Sequence, residues 1–173
     1  MAVPAEEQEA VRAELRKTEH MPFECVPVFL DETTAELFYN GFCNNVLWPL
    51  LHYIPLSMLE GQAQVAEEQW RGYKAANEAF ADEVLALTRS IEKDRPGDSP
   101  QPLVWVQDYH LMLLPRMLRE AQDDLQVGWF LHTPFATSEM YRTLPHREEI
   151  LRGVLGADLI GFHIYDYARH FHS

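Results

Sequence analysis

The chain has 173 residues, of which 47% are hydrophobic and 24% charged, a composition typical of a globular protein with one compact core. Its formal net charge of −13 disfavours nucleic acid and anionic membrane surfaces as partners, because like charges repel over long range. The sequence also has no apolar run close to the ~18 residues of a membrane-spanning helix, so we expect no membrane partner.

The N-terminus and the cysteine content favour the cytoplasm. Residues 1–17 are acidic and contain no apolar segment, which fits neither a signal peptide nor a transit peptide. Cys25 and Cys43 are too few for a disulfide framework or a cysteine cluster, and the histidines show no zinc-ligand spacing with them. We therefore expect reduced thiols, no metal site and no cofactor.

The first part of the chain predicts two helices and one strand. A short charged helix is expected over Glu6–Lys17, and a strand over Cys25–Leu30, where Pro27 favours an edge position. Asp31 has the side chain of a helix N-cap. The helix that it starts is expected to end at Trp48-Pro49, because proline cannot continue the hydrogen-bond pattern.

A long amphipathic helix is predicted next, from Ala63 to Ile91. Its apolar residues recur at spacings of three and four and form one stripe: Tyr73, Ala76, Phe80, Val84, Leu87 and Ile91. Residues 94–101 (DRPGDSPQ) then predict a turn-rich surface loop that is too short to separate two domains.

The second half alternates short apolar strands with helices. Strands are predicted at Leu103–Val106, Val127–Leu131 and Asp158–Phe162. Helices are predicted at Leu111–Ala121, Glu139–Leu144 and Arg147–Leu155, and from Tyr165 onward. The alternation indicates an α/β fold with a Rossmann-like parallel sheet flanked by helices. Because the chain stops within a helical pattern, we expect it to be a fragment of a larger protein.

Polar residues follow two of these strands directly. Asp108, Tyr109 and His110 come after the first strand, and His132 comes after the second. Parallel strands bind ligands beyond their carboxyl ends, so Asp108 and His132 are expected at one rim, where they could bind sugar hydroxyls or handle protons. Taken singly, each residue is better explained as structural, Asp108 as a cap of the next helix and His132 as a buried histidine with its hydrogen bonds satisfied. Their occurrence at consecutive strand ends favours a functional site.

A second cluster combines aromatic residues with asparagines at residues 38–49 (FYNGFCNNVLWP). Tyr39 and Trp48 carry flat apolar faces and a polar group, which suits stacking on a sugar and donation to a phosphate. Core packing is the alternative explanation. It is attractive for Phe38, Phe42, Leu47 and also Trp48.

Both clusters lie in segments that resemble trehalose-6-phosphate synthases. Ordered blocks carry the resemblance: Tyr39-Asn40-x-Phe42-Cys43-Asn44-Asn45-x-Leu47-Trp48-Pro49-x-x-His52-Tyr53, Trp70-x-x-Tyr73-x-x-Ala76-Asn77-x-x-Phe80-Ala81, Val104-Trp105-Val106-Gln107-Asp108-Tyr109-His110-Leu111, Phe130-Leu131-His132-Thr133-Pro134-Phe135 and Asp158-Leu159-Ile160-Gly161-Phe162-His163. Their order and density over residues 23–171 make the resemblance specific.

The resemblance implies part of a GT-B glycosyltransferase. Residues 1–173 would form a partial N-terminal, acceptor-side domain, and the C-terminal nucleotide-sugar domain would be absent. The implied reaction is retaining transfer of glucose from UDP-glucose to glucose 6-phosphate, giving trehalose 6-phosphate and UDP, without metal or cofactor. UDP-glucose would be a co-substrate, and other subunits of a trehalose synthase complex would be candidate partners.

The resemblance also assigns roles to the candidate residues. Asp108 and His132 match catalytic positions. The glucose 6-phosphate side is matched by Tyr39, Trp48, Asp108, Tyr109 and His110. The chain departs from the family at Cys43 and Ala136, where serine and proline are more usual, and it begins beyond the first strand and its donor-binding loop.

These departures leave more than one interpretation of the chain. We expect the isolated chain to be inactive, since it lacks the family's donor-binding elements and has no glycine-rich phosphate loop of its own. The alternative is a non-catalytic regulatory or interaction fragment of a trehalose synthase complex. A different GT-B transferase, such as a glycogen synthase relative, is disfavoured by Trp48-Pro49 and by the run from Asp108 to Leu111.

Overall fold

The computed structural model describes residues 2–16, 23–54, 63–94 and 101–173. The first half contains α1 (Ala5–Arg16), α2 (Glu32–Ala35), a π-helix (Glu36–Leu47), α3 (Trp48–Leu51) and α4 (Ala63–Asp94). The second half contains β1 (Leu103–Gln107), a 3₁₀ turn (Tyr109–Leu111), α5 (Leu114–Ala121), β2 (Gln126–Leu131), α6 (Ser138–Tyr141), α7 (Arg147–Val154), β3 (Leu159–Phe162) and α8 (Tyr165–His172). Among the residues so described, no helix combines the length and the apolar composition that a membrane crossing needs.

The strand predicted at Cys25–Leu30 is wrong. These residues form no strand, and the described sheet contains only β1, β2 and β3. Pro27 has no N–H to donate to a neighbouring strand. Phe29 packs instead against α1, where the Arg12 guanidinium lies 5.0 Å from its ring centroid.

The predicted cap at Asp31 is confirmed, but the predicted helix end is wrong. The Asp31 carboxylate accepts a hydrogen bond from the Thr34 N–H at 2.9 Å. The helix then widens into the π-helix, after which Trp48 N–H donates to the carbonyl of Cys43, five residues back. Pro49 lies in the first turn of α3, where a missing N–H matters little, so the helical path continues past it.

The long helix predicted over residues 63–91 is confirmed as α4, with one change to its buried face. Tyr73 and Ala76 are fully buried, whereas Leu87 and Ile91 are 38% and 45% exposed. In the second half of α4 the buried positions lie one residue away from the predicted stripe, at Ala81, Leu85 and Thr88. Most of the loop predicted at residues 94–101 lies outside the described residues.

The sheet confirms the predicted α/β topology. Its order is β1-β2-β3, and both pairings are parallel. The register aligns Val106 with Trp129, and Trp129 with Ile160. The face that carries these side chains packs on the core, as the complete burial of Trp129 and Leu131 shows.

The opposite face of the sheet is open in the described structure. Leu103, Trp105 and Leu159 lie on it and are 62%, 44% and 59% exposed. The Trp105 ring lies over Gly128 of the neighbouring strand, so closely that a Cβ there would overlap it. An apolar face of this kind is typical of a surface that another element or another protein covers.

Candidate active site

Asp108 leaves β1 in a backbone conformation that side chains rarely adopt. Its φ is 66° and its ψ is −177°, a region that is populated almost only by glycine and that costs about 1–3 kcal/mol for other residues. Its N–H donates to the carbonyl of Phe130 at 2.7 Å, and its carbonyl accepts from the Trp129 indole N–H at 3.1 Å. Contacts from β2 therefore hold the strained residue in place, and strain of this kind concentrates at functional sites.

The Asp108 carboxylate points to the end of β2. It accepts a hydrogen bond from the backbone N–H of His132 at 3.3 Å, so the prediction that these two residues share a rim is confirmed. In the described structure the carboxylate makes no cap bond to the following 3₁₀ turn, so the helix-cap explanation is wrong. His132 is exposed, which also removes the buried-histidine explanation.

The His132 imidazole is oriented by a neighbour that the sequence did not single out. Its Nε2 lies 2.7 Å from Gln107 Oε1. Gln107 Oε1 can accept a hydrogen bond from a protonated Nε2, an arrangement that leaves Nδ1 as an acceptor in the neutral ring. The ring also lies 5.3 Å from the His163 ring, at the end of β3. Both neighbours stand at carboxyl ends of strands, so the strand-end rule could have found them.

Tyr39, His110, Tyr109 and Trp48 form a continuous row of ring contacts, here called the aromatic row. Tyr39 stacks on His110 with ring centroids 5.7 Å apart and planes 10° apart. His110 lies 4.0 Å from Tyr109, which in turn lies 5.9 Å from Trp48. Tyr39 is 53% and Trp48 44% exposed, whereas Tyr109 is buried. The His52 ring lies 3.8 Å from the Trp48 ring, yet Tyr39 and Trp48 both keep exposed surface for a ligand, so the core-packing explanation for Trp48 is wrong.

The π-helix brings the two ends of the aromatic row together. In an α-helix, nine residues make about 2.5 turns, so Tyr39 and Trp48 would point in opposite directions. The wider turns of a π-helix, whose hydrogen bonds span five residues instead of four, bring positions nine apart back to nearly the same face. Phe38, Phe42 and Leu47 point into the core, as expected.

Burial and the Asp108 charge set the protonation of the row. Burial lowers the pKa of His110, and the Asp108 carboxylate offsets this only in part. Burial, with further contributions from Cys43 and Asp108, raises the pKa of Tyr109 to about 12. Burial and the Asp108 charge also raise the pKa of the Cys43 thiol. These groups are thus neutral hydrogen-bonding or packing partners beside one carboxylate.

The six predicted site residues therefore meet at one end of the sheet. A separate cavity of about 630 Å³ lies between α4, α5 and α7, and none of the six residues lines it. Within residues 2–16, 23–54, 63–94 and 101–173, no group of histidine, cysteine and carboxylate side chains could hold a metal ion.

Solved structures with the same fold define the class of the chain. The N-terminal domain of a Candida albicans trehalose-6-phosphate phosphatase matches 96% of this chain with a TM-score of 0.73 and 33% identity, over 33% of its own length. An E. coli structure with bound UDP-2-fluoro glucose matches 83% with a TM-score of 0.68 and 33% identity, over 29% of its length. A Burkholderia xenovorans α,α-trehalose-phosphate synthase in complex with glucose-6-phosphate matches 81%, with a TM-score of 0.65 and 28% identity, over 28% of its length. The predicted fold, a Rossmann-like parallel sheet of the GT-B N-terminal type, is confirmed.

Sequence comparison then gives the family. The profile of glycosyltransferase family 20 matches residues 1–173. The UDP-forming α,α-trehalose-phosphate synthases of Yarrowia lipolytica and Schizosaccharomyces pombe are 52% identical over 157 residues and 54% identical over 152 residues. The chain belongs to glycosyltransferase family 20. The alignments cover 87% and 86% of this chain, and the chain spans 30% and 27% of the two relatives.

Proposed function

We propose that the chain is the acceptor-binding part of a UDP-forming trehalose-6-phosphate synthase, and that it binds glucose 6-phosphate beside Asp108. The observation that carries this proposal is the strained Asp108, whose carboxylate accepts a hydrogen bond from the His132 N–H and whose charge acts on Tyr109 and His110 of the aromatic row. Residues 1–173 are, in this proposal, part of the N-terminal domain of a cytoplasmic enzyme. The main site for UDP-glucose belongs to a second domain, and any partner subunits belong to the same trehalose synthase complex.

Each candidate residue has a chemical role in this proposal. The Asp108 carboxylate accepts hydrogen bonds from the hydroxyl groups of glucose 6-phosphate. Such bonds are strong because the carboxylate is charged. The exposed rings of Tyr39 and Trp48 pack on the sugar and donate to its phosphate. The neutral His110 supports the Tyr39 ring and Tyr109 supports Trp48. His132 stands where donor and acceptor meet.

The proposed reaction exchanges one glycosidic bond for another. The bond between C1 of glucose and the UDP oxygen breaks, and C1 bonds to the anomeric oxygen of glucose 6-phosphate on the same face. The acceptor's hydroxyl proton passes to the departing phosphate oxygen. No side chain forms a covalent intermediate, so the protein contributes positioning and electrostatic stabilisation.

The relatives support this proposal through what they bind. The Burkholderia protein was crystallised with glucose-6-phosphate and the E. coli protein with a UDP-glucose analogue. We expect the isolated chain to release no UDP from UDP-glucose, since its sequence has no glycine-rich phosphate loop.

Calorimetric titration of the purified chain tests the proposal. We expect binding of glucose 6-phosphate and no binding of UDP-glucose. Asp108→Asn should weaken glucose 6-phosphate roughly 10- to 100-fold, because hydrogen bonds to a charged group contribute about 1.5–3 kcal/mol. Asp82→Asn, which neutralises an exposed carboxylate on α4, is the matched control and should bind like the wild type. Equal affinity of the wild type and Asp108→Asn for glucose 6-phosphate would show that Asp108 does not bind this ligand.

A second candidate function is a non-catalytic interaction module of a trehalose synthase complex. The observation that favours it is the open sheet face with Leu103, Trp105 and Leu159. The same titration separates the two functions, because an interaction module has no need to bind either sugar compound. Binding of neither compound by the wild-type chain would favour the module.

A further inference from the structure

Three successive backbone carbonyls after β1 accept hydrogen bonds from buried side chains. The Asp108 carbonyl accepts from Trp129 Nε1 at 3.1 Å, that of Tyr109 from the Tyr73 hydroxyl at 2.8 Å, and that of His110 from Asn77 Nδ2 at 3.1 Å. All three donor residues are completely buried. The segment 108–110 is therefore fixed from beneath by β2 and α4.

Tyr73 and Asn77 form one unit on α4. They are four residues apart and so lie on the same face of the helix. The Tyr73 hydroxyl also accepts a hydrogen bond from the Met112 N–H at 3.1 Å, so it joins the two ends of the 3₁₀ turn. Asn77 Nδ2 also donates to the Tyr73 carbonyl at 2.9 Å, which fixes the orientation of the amide.

Core packing alone does not account for these polar side chains. A phenylalanine and a leucine would fill the same space without a buried hydroxyl or amide. Asn77 Oδ1 is buried and has no partner among the described residues, a state that costs about 1–3 kcal/mol. What the two side chains supply is hydrogen bonds to the segment that carries Asp108, Tyr109 and His110.

We propose that Tyr73 and Asn77, together with Trp129, are positioning residues that hold segment 108–110 in its strained conformation and thereby aim Asp108 and the aromatic row at the acceptor. This inference rests on the proposed function. None of the three residues touches the acceptor. They act through the backbone, and loss of a donor leaves a buried or partly buried carbonyl unpaired, so that the segment relaxes away from its binding geometry.

Tyr73→Phe is the sharpest variant, since it removes only the hydroxyl. Tyr141→Phe is the matched control, because Tyr141 is also buried and its hydroxyl donates to the Arg147 carbonyl, outside the segment. A second pair is Asn77→Ala with Thr88→Ala as control. Thr88 is buried on the same helix, and its hydroxyl bonds the Leu85 carbonyl within α4.

Two measurements on the purified chain test the inference. Hydrogen exchange over residues 108–113, without ligand, should be about tenfold faster in Tyr73→Phe and Asn77→Ala and unchanged in their controls. The affinity for glucose 6-phosphate, measured by calorimetry, should fall by about tenfold in the same two variants only. Thermal unfolding verifies that each variant is folded.

The outcomes separate this inference from the proposed function. Exchange over residues 108–113 that is no faster in Tyr73→Phe than in Tyr141→Phe would overturn the inference. So would faster exchange together with unchanged affinity. If the wild type binds no glucose 6-phosphate, the proposed function fails, and the exchange comparison by itself still decides whether the side chains hold the segment.

Discussion

The backbone strain at Asp108 predicts an unusual order of stability among substitutions at this position. Asp108→Ala keeps a Cβ and therefore keeps the strain, whereas Asp108→Gly removes it. Both variants lose the carboxylate and its hydrogen bond from the His132 N–H, which is 3.3 Å long. The difference between the two variants therefore isolates the backbone.

The magnitude follows from two opposing terms. A side chain in this region of φ and ψ costs about 1–3 kcal/mol, which glycine recovers. Glycine loses about 0.5–1 kcal/mol relative to alanine, because its unfolded chain is more flexible. The Asp108→Gly chain should therefore be as stable as Asp108→Ala or up to about 2.5 kcal/mol more stable. At ordinary positions the order is reversed.

Urea unfolding followed by circular dichroism measures the difference. Ala86→Gly, at an exposed position in α4, calibrates the ordinary cost of glycine at about 1 kcal/mol. Neither Asp108 variant should bind glucose 6-phosphate, so a gain in stability would accompany a loss of function. If Asp108→Gly proves about 1 kcal/mol less stable than Asp108→Ala, the backbone of Asp108 is not strained.

Two further predictions concern the surroundings of the site. Gly153→Ala should lower the free energy of unfolding by about 1–3 kcal/mol, as measured by urea unfolding. The added Cβ would overlap the Met112 carbonyl and lie 2.8 Å from Leu113 Cα. A variant more stable than the wild type would contradict this close packing. Because the pKa of His110 is lowered in the folded chain, the unfolded chain takes up a proton at this histidine at a higher pH than the folded chain does. The free energy of unfolding should therefore fall as the pH drops below about 6.5 and stay level above that pH. His110→Gln should reduce this dependence of stability on pH, whereas His172→Gln, at an exposed position, should keep it. Urea midpoints at about pH 5.5 and pH 7.5 measure the difference. An unchanged dependence in His110→Gln would show that His110 does not cause it.

The elements whose signals are local were predictable from the sequence. Each strand of the sheet is a short apolar run, Asp31 has the side chain of an N-cap, and α4 repeats its apolar residues at helical spacing. The shared rim of Asp108 and His132 was also predictable, because parallel strands end at the same edge. The chemistry of the candidate site thus lies in the order of residues along the chain.

Features that depend on distant partners were not predictable. Residues 25–30 have the composition of a strand, yet pairing requires a neighbour that no local pattern reveals. The π-helix is equally hidden, since the sequence of residues 36–47 is compatible with an ordinary helix. It is the wider turn that places Tyr39 and Trp48 on one side.

The conformation of Asp108 belongs wholly to the tertiary structure. No local sequence pattern predicts the positive φ of Asp108, and the contacts that hold it come from Trp129 and, through the adjoining residues, from Tyr73 and Asn77. These side chains lie 21 to 36 residues from the carbonyls they bind. Residue types therefore determined which chemistry this protein can carry, and long-range packing decided its geometry, because only a folded core can hold a backbone in a strained state.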